Sequence, residues 1–143
     1  GCPHHGPDIS YGGKDLVHMT WFTGGEDKQG VRSGRFNMAP QSLEVEHVLD
    51  NSPSASRPQI HASGDTVTVV WKHFSGERTG LLTRVSNDAG TTWSEPFKLA
   101  ATKEGSDHPI IITRHEEIFV SWHTQAEGYQ LIAVQHEMTR QGE

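Results

Sequence analysis

Apolar and polar residues alternate in short runs along this chain, and the runs return in the same order three times. LVHMTW at Leu16–Trp21, VTVVW at Val67–Trp71 and IFVSW at Ile118–Trp122 each end on tryptophan. Upstream of each lies a proline (Pro7, Pro58, Pro109) that opens the segments PDIS, PQIH and PIIIT, followed by the turns YGGKD, ASGD and RHEE. After each tryptophan come a polar loop and a third run: GVRSGRF at Gly30–Phe36, GLLTRVS at Gly80–Ser86 and YQLIAV at Tyr129–Val134. Runs this short, β-branched or aromatic and bounded by Gly, Asp or Ser, predict strands.

The tryptophans are 50 and 51 residues apart and the prolines 51 and 51. A period near 50 with about four strands per unit lies in the range of β-propeller blades. Proline suits the first residue of a strand, where no ladder donor is needed. The expected fold is all-β, with three four-stranded blades at about 1–50, 51–101 and 102–143, the third lacking its outermost strand.

Residues 86–93 read SNDAGTTW, so Ser86, Asp88, Gly90, Thr92 and Trp93 satisfy S-x-D-x-G-x-T-W at every position. The aspartate can accept bonds from backbone N–H groups further along, glycine supplies a positive-φ corner, and the tryptophan covers the turn. The motif resembles the Asp box, or BNR repeat, of sialidase-like propellers. That resemblance implies a structural hairpin between third and fourth strands, here before EPFKLA at Glu95–Ala100, and not a catalytic loop. GCPHHGP and WFTGG also resemble the C-terminal half of bacterial BNR-repeat proteins of the sialidase-like kind. The whole chain then looks like half of a six-bladed propeller.

Three blades cannot close a ring, because propellers use about four to eight. The expectation is a missing half on a longer chain, or a homodimer of two copies that completes six blades. The sequence begins on Gly-Cys without an initiator Met, so it reads as a fragment or as a chain whose targeting segment is absent. A Gly-Cys start can also follow a lipoprotein signal, a reading that ranks below a blade loop. The family resemblance favours a periplasmic or extracellular location.

Composition narrows the partners. Net charge is −6, the 12 Lys and Arg are scattered, and Gly and Pro number 15 and 7. Nucleic acid and acidic membrane surfaces are therefore poor partners, and no apolar run reaches the roughly 18 residues of a membrane span. One cysteine excludes an intrachain disulfide.

A sialidase of this resemblance would carry an arginine cluster, a tyrosine nucleophile beside a glutamate, and an aspartate acid/base. The nearest arginine motif is Ser56-Arg57-Pro58, a partial match. Tyr11 lies in a turn, Tyr129 begins an outward run, and Glu44 and Glu46 look solvent-facing. No catalytic residue is assigned. The repeat register instead superposes the residues before each proline: Gly6, Arg57 and His108, preceded by His5, Ser56 and Asp107. His5, Arg57, Asp107 and His108 are the candidate ligand-binding rim. Cys2, His4, His5 and His108 form a weaker candidate for Zn or Cu, since thiolate and imidazole suit those ions. Six other histidines (His18, His61, His73, His115, His123, His136) read as surface or strand-end residues. The leading function is a noncatalytic sialidase-like module for ligand or partner binding, carbohydrate among them, or for scaffolding. The alternative is part of a sialidase-type glycoside hydrolase whose catalytic residues lie outside this chain.

Overall fold

The computed structural model describes residues 6–135, all β, in three antiparallel sheets. The first holds β1 (Asp8–Gly13), β2 (Leu16–Thr23), β3 (Gly30–Asn37) and β4 (Ser42–Asp50). The second holds β5 (Ala55–Ser63), β6 (Thr66–Phe74), β7 (Thr79–Ser86) and β8 (Phe97–Thr102). The third holds β9 (Ile110–Arg114), β10 (Glu117–Thr124) and β11 (Gly128–Ala133). Within each sheet, every strand pairs with its neighbours in sequence. The first two strands of each sheet join through two-residue turns, Lys14-Asp15, Gly64-Asp65 and His115-Glu116. Positive φ at Lys14, Asp15, Gly64 and His115 matches the right-handed strand twist that such turns must follow.

The cores lie between sheets. Val31 and Leu49 of the first sheet pack with Ile60, Val67, Val69 and Trp71 of the second. Val70 and Leu81, on the other face of the second sheet, pack with Val120 and Trp122 of the third. Strand alternation sends successive side chains to opposite faces, so β6 serves both cores. This explains its nearly unbroken buried run, Val67–Trp71.

Polar bonds set how the first two sheets meet. Ile60 N–H donates to Asp8 Oδ2 at 2.8 Å and Ala62 N–H to Ser10 Oγ at 2.9 Å. Asp50, at the end of β4, accepts the buried Trp71 indole N–H and His73 Nδ1 on Oδ2, each at 2.8 Å, and the Ser52 N–H on Oδ1 at 2.9 Å. Gly30 (φ +116°) makes that position reachable: an added Cβ would lie 1.9 Å from the Asp50 carbonyl oxygen.

The SNDAGTTW segment forms the turn between β7 and β8. Asp88 Oδ1 accepts the N–H groups of Thr91 (3.1 Å) and Thr92 (2.8 Å), and the Ser86 hydroxyl (2.7 Å). The hydrogen bonds from Thr92, hydroxyl first, hold the Asp88 carboxyl down at about 2. The turn is clasped to the first sheet by Arg35, whose Nη1 donates to the Ala89 carbonyl (2.9 Å) and to Thr91 Oγ1 (3.1 Å).

Three readings of the sequence need correction. Tyr11, expected in a turn, lies within β1. His18 is a core residue, 2% exposed. An added Cβ would lie 2.9 Å from its Nε2 at Gly12 and 3.4 Å from its Nδ1 at Gly90, so two glycines make the slot that the ring fills. Pro58 does not open its strand, because β5 begins at Ala55. Ser56 pairs with Lys72 and Gln59 with Val70, so an extra residue bulges out and spares proline its missing donor.

Candidate functional site

That bulge builds the most distinctive charged site among the described residues. Arg57 sits in it with φ +55°, a conformation a non-glycine residue avoids and one that a following proline disfavours further. Strain of this sort costs roughly 1–3 kcal/mol and tends to mark functional positions. Half-buried Arg57 lies close enough to Lys72, on the adjacent strand, for their charges to interact.

The loop into β9 delivers the other members. Trp122, 1% exposed, donates its indole N–H to the Asp107 carbonyl at 3.0 Å. Asp107 N–H bonds the His123 carbonyl at 2.8 Å, and Ser106 bridges to Thr124. Lys72 Nζ donates to the Ser106 carbonyl at 3.0 Å, tying β6 of the second sheet to this loop. Asp107 and His108 are thereby held at the edge of the second sheet, with His123 Nδ1 3.7 Å from Asp107 Oδ2.

The electrostatics is cationic. Desolvation and then the Arg57 charge lower the Lys72 ammonium from its usual range, with Asp107 opposing. His108 is likewise lowered, by desolvation first and then by Arg57 and Lys72, so its ring is neutral near pH 7. One carboxylate thus faces two fixed cations and a histidine, in a chain whose net charge is −6. An anion arriving here gains from both cations, and the guanidinium can pair with a carboxylate or phosphate through two N–H groups.

No family model, curated protein or solved structure matches this chain. The functional reading therefore stands on the arrangement of its own residues.

Three of the four rim candidates, Arg57, Asp107 and His108, come together; His5 lies outside the described residues. Of the metal candidates, Cys2, His4 and His5 also lie outside them. His108, the described member, stands beside Arg57 and Lys72, whose charges repel a metal cation. Among the described residues no three His, Cys, Asp or Glu side chains gather to hold a metal ion. Lys72 and His123 were missed, although both follow the repeat tryptophan by one residue and so share a register position. Glu44 and Glu46 face solvent as expected, and are also ion-paired with Arg35 and Arg32 at 3.0 and 2.7 Å. Tyr11 Oη receives the Asp15 N–H, and Tyr129 Oη pairs with the Ser121 hydroxyl.

Other clefts lie elsewhere among the described residues. One of about 260 Å³ at the far end of the same sheet junction is lined by His61, Thr66, His115 and Glu116. Another of about 450 Å³ opens beside Asp50, Trp71 and His73. In the second, the Asp50 carboxylate is already engaged by the bonds that join the sheets.

Proposed function

We propose that this chain is a noncatalytic binding module built from sialidase-like Asp-box propeller blades. On this reading it takes an anionic ligand at Arg57, Lys72 and His108. The observation that carries the proposal is the strained, half-buried arginine in the bulged edge strand of the second sheet, beside a second cation on the adjacent strand. The Asp-box turn, with Asp88 as a backbone acceptor and Arg35 as its clasp, supports the blade reading. So does the threefold recurrence of the tryptophan strand. Among the described residues the tyrosine hydroxyls bond the Asp15 N–H and the Ser121 hydroxyl rather than a carboxylate, which supports binding over hydrolysis. Because the cluster is open to water, it suits a charged group that projects from a larger ligand, such as an acidic sugar.

Calorimetric titration with glucuronate and with its neutral methyl ester at low salt tests this. The acid should bind and the ester should not. Binding should tighten as pH falls below about 6.5, the ordinary range of histidine, because protonated His108 adds a third positive charge. Arg57→Ala with Lys72→Ala should weaken binding by at least about tenfold, the loss expected from removing two charge-assisted contacts. Equal affinity for acid and ester would overturn the proposal. Turnover of a fluorogenic sialoside would replace it with the hydrolase reading.

A further inference from the structure

The three sheets are equivalent in register, so each position can be compared with its counterparts. Trp21, Trp71 and Trp122 correspond, as do Ile9, Ile60 and Ile111 on the same face. In the second sheet this face meets the first, and Ile60 and Trp71 are 5% and 0% exposed. In the third it meets the second, and Trp122 is 1% exposed. In the first sheet the same face meets no other sheet: Ile9 is 60% exposed and Tyr11, beside it, 58%.

The opposite faces tell the same story from the other end. Val31 and Leu81 lie opposite the residue that follows the tryptophan, and both are fully buried against the next sheet. Tyr129 occupies that position in the third sheet, opposite His123, and is 69% exposed. Leu131, Ile110 and Ile112 share its face at 56%, 55% and 42%. Ser33 and Thr83 stand where the third sheet has Leu131, and Ser10 and His61 where it has Ile112. The end face of the third sheet is thus more apolar than the equivalent faces covered inside the chain. A repeat array ending in water needs a polar outer face, and neither end of this one has it.

We infer that the two end faces bind each other between two copies of this chain. The third sheet of one copy packs on the first sheet of the other, and reciprocally about a two-fold axis. The occupant is argued from the repeat itself: the two faces left open are the two kinds of face that the chain already joins twice. A face of three strands about six residues long covers roughly 300 Å². Two reciprocal contacts then bury about 1,200 Å² in all, enough for a stable interface.

Sedimentation velocity of the chain at about 1–100 µM should give a species of twice 15.8 kDa. Ile9→Lys with Tyr11→Lys, or Leu131→Lys with Tyr129→Lys, should each give a monomer with an unchanged β-type far-UV spectrum, since these side chains are exposed. Mixing the two variants leaves one junction of about 600 Å² between unaltered faces, so association should return only weakly, at the top of that concentration range. A monomeric parent chain, open-ended polymers, or either variant remaining a full dimer would each overturn the inference. A monomer would leave the faces to further sheets of a longer chain.

Discussion

Asp50→Ala removes one carboxylate and strands three donors. The Trp71 indole N–H is the costly one: the residue is 0% exposed and its partner is 2.8 Å away. A buried donor left unpaired costs about 1–3 kcal/mol. His73, with 30% of its side chain exposed, can turn to water and adds little. Loss of the Ser52 N–H bond in the turn adds about 0.5–1 kcal/mol. The sum, about 1.5–4 kcal/mol, corresponds to a fall in melting temperature of roughly 5–15 °C for a chain of this length. Urea denaturation followed by tryptophan fluorescence measures it directly. Asp50→Asn, which keeps an oxygen for the indole, should cost about half as much. Combined with Trp71→Phe in a double-mutant cycle, Asp50→Ala should show a coupling of about 1–2 kcal/mol. Additive losses, or an Asp50→Ala cost below about 0.5 kcal/mol, would refute the claim that this bond joins the sheets.

The other predictions concern the same scaffold. Gly30→Ala should destabilise by more than about 4 kcal/mol or prevent folding, because the Cβ would meet the Asp50 carbonyl at 1.9 Å; a melting curve decides. Burial and then Arg35 depress the His18 pKa, so the unfolded chain takes up that proton first. The stabilisation is complete above about pH 6.5 and is lost as pH falls below it. His108, also lowered, acts in the same direction. His18→Asn should therefore flatten the stability profile between about pH 7 and 5, relative to the parent chain. Asp88, held at about 2 against a usual 3.8, stabilises above 3.8 and loses that effect as pH falls towards 2. Asp88→Asn should remove this acid limb in denaturation midpoints recorded from pH 5 to 2.

The strands were largely legible, because period-2 alternation is read directly from neighbouring residues. The run Leu16–Trp21 became β2, Leu16–Thr23, and Gly80–Ser86 became β7, Thr79–Ser86. The bonds of Asp88 were legible too, since every partner lies within four residues. What escaped depended on distant partners. Nothing near His18 in sequence announces that Gly90, far along the chain, completes its slot. Asp50 gave no local sign that it serves a tryptophan 21 residues on. At the site, the repeat register brought Arg57, Asp107 and His108 into view together. Lys72 entered only once its reach to the Ser106 carbonyl was seen.

The in-order pairing of strands has a kinetic consequence. Each sheet is a meander, so no strand must wait for a distant segment before it finds its ladder. The widest gap within a sheet, between β7 and β8, is the one that Asp88 stitches from inside, which limits the entropy of closing it. Contacts of long sequence separation occur where one sheet meets the next, as between Asp8 and Ile60 or Arg35 and Ala89. Folding can therefore proceed through short closures, with sheet docking as the slow, non-local step. A chain emerging from its N-terminus can complete the first sheet before the second exists. Until the second arrives, that sheet has Val31 and His18 open to water, a brief interval in which the chain is most prone to stick to its neighbours.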